Sequence, residues 1–138
     1  MPREVPQAPV SCVLDSGALI ALGKASPLMT RLLMEVRAGT ARVIVPDSVL
    51  AQVWRGGAGR QARIAALIGL KPEQCATAAL DTEAAKRIGI RIGECGHADI
   101  ADVHVALVAD AQHAAVITSD REDIAAVSPA LADVIIDI

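Results

Sequence analysis

The chain has 138 residues, of which 53% are hydrophobic and 21% are charged, and its formal net charge is −3. This length predicts a single domain over residues 1–138 that buries a core, and the hydrophobic content excludes a disordered protein. No apolar run approaches the length of a membrane span, and the N-terminal MPREVPQAPV lacks the apolar region of a signal peptide. Three widely spaced cysteines without a CxxC pair fit a reduced setting. We therefore expect a cytoplasmic protein with no membrane contact.

The first half of the chain alternates short aliphatic runs with helical patterns. Ser16 follows the first run and is the predicted N-cap of a short helix. Gly39 ends the second helix, and Pro46 stops the second run. The predicted elements of this half are strand 11–15, helix 16–24, a helix from Pro27 to Gly39, strand 41–46 and helix 47–55.

The second half continues this alternation after the glycine-rich segment GGAG. The predicted elements are helix 60–69, a strand near 70–78, a helix from a cap at Asp81 or Thr82, helix 97–113, strand 114–120, helix 121–128 and a last strand over 132–138. Continuous aliphatic strands that alternate with helices are typical of a parallel sheet covered on both faces. The sequence therefore predicts an α/β fold, a three-layer α/β/α sandwich with a mainly parallel central sheet.

Four aspartates fall where such a fold gathers side chains. Asp15 and Asp120 each end a predicted strand, and Asp99 and Asp102 lie at the start of the helix before the second of these strands. In parallel sheets of this type, sites form beyond the carboxyl ends of the strands. Clustered carboxylates need water, a basic partner or a cation, and oxygen-only clusters suit Mg²⁺ or Mn²⁺. Each acid taken alone would be a helix cap or a solvated charge.

Several motifs resemble those of the PIN domain and, within that family, the VapC-type toxins of toxin–antitoxin pairs. VLDSGALIAL resembles the first motif, a strand followed by Asp and a small helix. VPDSVLAQVWRG resembles the second, and ADIADVHVALVADAQHAAVITSDRED resembles the third and fourth together. The interval back from Thr118-Ser119-Asp120 selects Asp102 rather than Asp99 as the third-motif acid. The resemblance covers nearly the whole chain.

The resemblance implies a PIN-like fold and a Mg²⁺- or Mn²⁺-dependent endoribonuclease that leaves a 5′-phosphate and a 3′-hydroxyl. At the matching positions, Asp15 and Asp102 would be the principal metal carboxylates, and Asp120 would bind the metal directly or through water. Ser16 and Thr118 would orient water or phosphate. The resemblance also implies an RNA substrate, a homodimer and inhibition by a cognate VapB-type antitoxin.

One position departs from the family pattern, because Gln52 stands where the second motif normally carries a glutamate. An amide carries no charge, so the affinity for a divalent ion should be weaker. Asp99 and Asp123 are the expected compensating ligands, although Asp99 is equally expected to be a helix cap. The departure also supports an alternative function, that of a catalytically silent PIN-like module that binds RNA or protein.

A basic segment follows the Gln52 helix. Arg55, Arg60 and Arg63 are expected to contact RNA phosphates beside the metal site, and their alternative is a solvated helix face. Trp54 is available to stack on a base, but core packing is the favoured prediction for it. These residues supply local positive charge in an acidic chain.

The three histidines are not expected to take part in a site. His104 is predicted to lie off the face of Asp102, and His113 lies near a helix end, where a cation is favourable. His97 lies close to Cys95 in sequence, but two ligands without a second pair make a poor zinc site.

Two other enzyme classes with strand-end aspartates are disfavoured by single residues. A phosphoacceptor receiver domain needs paired acids after its first strand and a lysine at the end of its last strand, whereas this chain has only Asp15 and ends in Asp137-Ile138. A haloacid-type phosphatase needs an acid two residues after the first aspartate, where this chain has Gly17.

Overall fold

Short aliphatic runs form the strands of one parallel sheet. The structure, a computed structural model, describes residues 9–56 and 59–138, apart from the side chain of Arg60. The sheet has the strand order β3-β2-β1-β4-β5, and every neighbouring pair of strands is parallel. Its strands are β1 (Val10–Leu14), β2 (Ala41–Pro46), β3 (Cys75–Ala78), β4 (Ala115–Thr118) and β5 (Ile135–Asp137).

Helices connect these strands and cover the sheet, which confirms the predicted α/β/α sandwich. The helices are α1 (Ser16–Gly23), α2 (Pro27–Ala38), α3 (Asp47–Val53), α4 (Arg60–Ile68), α5 (Thr82–Cys95), α6 (Ile100–Gln112) and α7 (Arg121–Val127). A 3₁₀ helix, Pro129–Val134, precedes β5. None of the helices in the described residues is both long and apolar enough to cross a membrane.

The central strands are buried on both faces, as their uninterrupted aliphatic sequences predict. Val13 pairs in register with Ile44 on one side and with Val116 on the other. All three side chains are buried in the hydrophobic core. The strand order reverses between β1 and β4, because the chain runs outward from β1 to β3 and then returns to β4. In sheets of this type a site is expected at such a switch point, beyond the carboxyl ends of β1 and β4.

Several predicted boundaries differ from the structure. The first strand lies one residue earlier than predicted, and the strand expected near 70–78 consists only of Cys75–Ala78. The last strand is reduced to Ile135–Asp137 because a 3₁₀ helix occupies the residues before it. Arg121 fixes this turn, since its guanidinium donates to Ala132 O at 2.9 Å and to Ile135 O at 3.1 Å.

Two of the three cysteines lie in the hydrophobic core. Cys12 and Cys75 are buried thiols. Burial raises the pKa of the Cys75 thiol to about 11, so at neutral pH this side chain is an uncharged hydrophobe.

Candidate metal centre

Asp15 lies at the point where β1 ends and α1 begins. Its N–H donates to Ile117 O at 3.2 Å, which continues the pairing of β1 with β4 by one residue. Its side chain then accepts from the N–H of Ala18 at 2.9 Å and so caps α1. The prediction that Ser16 is the N-cap is therefore wrong, and Ser16 is the first helical residue. Asp15 is 3% exposed, which holds its carboxylate in a fixed direction.

The hydroxyl of Thr118 holds the Asp15 carboxylate in place. Thr118 is fully buried at the end of β4, and its hydroxyl donates a hydrogen bond to Asp15 Oδ2. The same hydroxyl accepts from the N–H of Asp120 at 2.8 Å. We predicted that Thr118 would orient water or phosphate. Because its hydroxyl is buried and already has both partners, its role in this structure is to position Asp15.

The side chain of Ser119 lies close to Gly17 in this half of the site. A Cβ placed on Gly17 would lie 2.2 Å from Ser119 Oγ and 3.0 Å from Ser119 Cβ. Glycine at this position therefore lets the first turn of α1 approach the segment after β4. The same geometry leaves no room for the second acid that a haloacid-type phosphatase requires.

Asp99 begins the second half of the site, as the cap of α6. Its Oδ1 accepts from the N–H of Asp102 at 2.9 Å, and its backbone is extended, so α6 begins only at Ile100. The prediction that the helix begins at residue 97 is wrong by three residues. Asp99 was expected to be either a compensating ligand or a helix cap, and the structure shows the cap. Its exposed carboxylate also places negative charge near Asp102.

His97 contacts Asp102, which the sequence prediction missed. Gly96, with φ +76°, ends α5 in the left-handed region and turns the chain, and residues 97–99 lead into α6. His97 Nε2 lies 2.9 Å from Asp102 Oδ2. Two residues that are five apart do not share a helix face, so helical periodicity could not pair them. An extended segment before the helix brings them together.

Asp123 joins this pair from the first turn of α7. One ligand atom each from His97, Asp102 and Asp123 lies within 4.8 Å of the others. All three side chains are partly buried. The sequence predicted Asp123 as a compensating ligand, and the structure brings it to Asp102.

Asp120 lies within electrostatic reach of both halves. The neighbouring carboxylate of Asp123 raises the pKa of Asp120 most, and the charges of Asp102 and Asp15 raise it further. The predicted ligands Asp15 and Asp120 follow the neighbouring strands β1 and β4, and Asp102 lies in the first turn of α6. Within the described residues, the close contacts of Asp102 are with His97 and Asp123 rather than with Asp15 or Asp120.

The buried carboxylates of the site resist ionisation. Burial raises the pKa of Asp15, although hydrogen bonds from Thr118 and from the N–H groups of Ala18, Ser119 and Gly17 offset part of this effect. Burial also raises the pKa of Asp102, while its hydrogen bond with His97 opposes the rise and the charges of Asp99 and Asp123 add to it. Such groups favour either protons or a cation.

No lysine or arginine in residues 9–56 and 59–138, the side chain of Arg60 aside, forms an ion pair with these aspartates. Arg121 pairs with Asp137, and Arg91 pairs with Glu94. The donor set of carboxylates and one imidazole suits a divalent cation, and the residues present therefore fit the metal that the family resemblance implies.

Gln52 lies in the last turn of α3 and is exposed. Within the described part of the chain its amide forms no side-chain hydrogen bond. Nothing in the structure therefore fixes the amide in a ligating position.

The arginines expected to contact RNA have structural partners in this conformation. Arg63 donates to Gly23 O at 3.2 Å and so caps the C-terminus of α1. Arg55 donates to Trp54 O at 2.8 Å. The side chain of Arg60 lies outside the described residues. Trp54 is 39% exposed, so the prediction that it packs in the core is wrong.

The other two histidines have structural roles, as predicted. His104 is buried, and its Nδ1 lies 2.7 Å from Ser48 Oγ, which ties α6 to α3. Burial lowers the pKa of His104, so the neutral imidazole is favoured. His113, with φ +51°, ends α6 in the left-handed region.

The site is expected to make the stability of the metal-free protein depend on pH. The pKa of Asp15 and that of Asp102 lie above the unfolded value of about 3.9, and the hydrogen bond with Asp102 raises the pKa of His97 above about 6.5. A group with a raised folded pKa contributes stability below its unfolded pKa and loses it as the pH rises through the folded pKa. All three groups therefore lower the free energy of unfolding as the pH rises.

Urea unfolding in EDTA, from about pH 4 to pH 8, measures this effect when wild type is compared with Asp15→Asn. Wild type is expected to lose free energy of unfolding relative to the variant as the pH rises. A constant difference between the two proteins over this range would contradict the expectation.

Comparison of the sequence with protein-family models and with curated proteins gives no match.

Proposed function

We propose that this protein is a metal-dependent endoribonuclease of the PIN type, acting as the toxin of a type II toxin–antitoxin pair. One observation carries the proposal. Asp15 and Asp120 follow the neighbouring strands β1 and β4 at the switch point of the sheet, Asp102 has a carboxylate oxygen within 4.8 Å of one from Asp123, and no described lysine or arginine forms an ion pair with these acids. Carboxylates gathered in this way are expected to bind a divalent cation.

The chemistry of the site follows from the positions of its acids. Asp15, Asp102 and Asp120 would hold a Mg²⁺ or Mn²⁺ ion, which would supply the activation of water for attack on a phosphodiester and the neutralisation of charge on the phosphate. Asp15, fixed by Thr118 and by the N-terminus of α1, supplies a rigid ligand. Asp120 is exposed on the segment after β4, where it can contact solvent and substrate.

The RNA substrate and the protein partners rest on the family resemblance. RNA would approach the exposed acid Asp120, with Arg55 and Arg63 free to exchange their carbonyl partners for phosphate. A homodimer partner or a VapB-type antitoxin requires an apolar surface. On α2, Leu28 is 39% exposed and Met34 is 67% exposed, and both are available for this purpose.

The alternative function is a catalytically silent PIN-like module that binds RNA or protein. Gln52 favours it, because an exposed amide replaces the expected carboxylate of the second motif. The two functions differ in whether this edge of the sheet binds a metal.

Cleavage of an RNA panel by the purified protein in Mg²⁺, Mn²⁺ or EDTA tests the proposal. Wild type is expected to cleave only with metal, and Asp102→Asn is expected to be inactive. Asp110→Asn is the matched control, because Asp110 is an exposed acid on the same helix. If wild type and Asp102→Asn cleaved the RNA panel to the same extent, and wild type bound no Mn²⁺ in calorimetry, the catalytically silent module would be favoured.

A further inference from the structure

We propose that His97 is a metal ligand, and that His97, Asp102 and Asp123 bind a divalent transition-metal ion in preference to Mg²⁺. The binding site is inferred from this chain's own side chains. Only the use of the ion in RNA hydrolysis rests on the proposed function.

The geometry needs little change to hold an ion. Ligand atoms that lie about 2.0–2.2 Å from a transition-metal ion are no more than about 4.4 Å from one another. The three ligand atoms already lie within 4.8 Å of one another. His97 Nε2 is directed at Asp102 Oδ2, 2.9 Å away, so this nitrogen would present its lone pair to an ion at the carboxylates once the shared proton is lost. An ion would replace the proton that now joins these two groups.

The chain on either side of His97 keeps the ring in this position. Gly96 ends α5, and Asp99 begins α6 by capping it, so only three residues separate the two fixed points. The His97 side chain is 21% exposed and that of Asp102 is 20% exposed, which leaves an opening for an ion and its water ligands. The ring is therefore held near the carboxylates but is not sealed from solvent.

The charge around His97 also favours a cation. The charges of Asp102, Asp123 and Asp99 all act on this one imidazole. The charges of Asp102 and Asp15 reach the neighbouring Asp120. A divalent ion bound in place of the proton would reduce the electrostatic repulsion between these carboxylates.

The nitrogen ligand determines which ion is preferred. Mg²⁺ requires hard oxygen ligands and holds its water strongly, whereas imidazole is a good ligand for first-row transition metals. A purely carboxylate site would not separate Mn²⁺ from Mg²⁺ in this way.

The test is calorimetric titration of the full chain with Mn²⁺ and with Mg²⁺, for wild type, His97→Gln and His113→Asn. Glutamine can still hydrogen bond with Asp102 but is a poor ligand. His113→Asn removes a histidine outside the site and keeps a residue that tolerates a positive φ. Thermal unfolding without metal checks that each variant folds. Pulsed electron paramagnetic resonance of bound Mn²⁺ detects coupling to an imidazole nitrogen.

Wild type and His113→Asn are expected to bind Mn²⁺ more tightly than Mg²⁺ and to show nitrogen coupling. His97→Gln is expected to lose the coupling and at least about 10-fold in Mn²⁺ affinity, with Mg²⁺ affinity changed much less. Parallel losses for both ions, or no nitrogen coupling in wild type, would overturn the ligand role of His97 and leave the proposed nuclease standing. Absence of binding of either ion to wild type would overturn both proposals. Nitrogen-coupled Mn²⁺ binding without RNA cleavage would overturn the nuclease alone.

Discussion

Asp15→Asn is expected to reduce metal-dependent RNA cleavage by roughly 100-fold or more, which corresponds to about 2.7 kcal/mol of lost transition-state stabilisation. The carboxylate is buried, directed by Thr118 and anchored at the start of α1, so no other side chain can take its position. Asparagine is nearly the same size and is also a good N-cap, so the fold should be preserved. Initial rates on a cleaved RNA, together with Mn²⁺ titration, measure the effect.

Asp133→Asn is the matched control for this variant. Asp133 is an exposed acid in the 3₁₀ helix before β5, and its replacement changes the net charge by the same amount. We expect the control to cleave RNA at the wild-type rate. If Asp15→Asn retained wild-type cleavage and metal affinity, Asp15 would not belong to the site.

Thr118→Val is expected to lower the free energy of unfolding by about 1–3 kcal/mol and to weaken Mn²⁺ binding by about 10-fold or more. Valine has a similar volume but no hydroxyl, so the buried Asp15 carboxylate loses a donor and the N–H of Asp120 loses its acceptor. The metal affinity falls because Asp15 is no longer held in one orientation. Urea unfolding and calorimetry measure the two effects separately.

Thr118→Ser separates positioning from packing. Serine retains the hydroxyl and loses one buried methyl group, which costs about 1 kcal/mol of stability. We therefore expect Thr118→Ser to be less stable than wild type but to bind Mn²⁺ with near wild-type affinity. If valine and serine impaired metal binding equally, the hydrogen bond from Thr118 to Asp15 would have no part in positioning the ligand.

The fold was predictable because its signals are local and repeated. Runs such as ARVIVP are long enough to be recognised as buried strands. Helix α2 lies between two cap residues, Ser26 and Gly39, which mark its ends. At the last strand, a tertiary contact overrides local propensity. Arg121 donates to the carbonyls of Ala132 and Ile135, in the 3₁₀ helix and at the start of β5, which favours a 3₁₀ turn over the longer strand that the sequence predicts.

The candidate site was predictable at the strand ends and less so elsewhere. Asp15 and Asp120 follow strands, so the parallel topology alone places them at one edge. His97 was missed because its partner, Asp102, is five residues away, across a segment that is extended rather than helical. The sequence did contain a signal for this contact: Gly96 ends α5, and Asp99, three residues later, caps the start of α6. Together they indicate that the residues between them can turn back on the next helix.

The role of Thr118 was only half predictable. Its place at the end of β4 follows from the sequence, but the direction of its hydroxyl depends on the neighbouring strand β1. Residues in contact that are 103 positions apart in the chain give no local pattern. Their coupling appears only when the register of the two strands is known.

The central claim is that the aspartates beyond β1 and β4 bind a divalent cation. Anomalous diffraction from a Mn²⁺-soaked crystal tests it most directly. We predict a manganese peak within coordination distance of the Asp102 carboxylate, in the crevice between Asp15 and Asp123, which disappears in Asp102→Asn crystals. A map without a peak at this edge of the sheet, at Mn²⁺ concentrations that saturate a carboxylate site, would contradict the account.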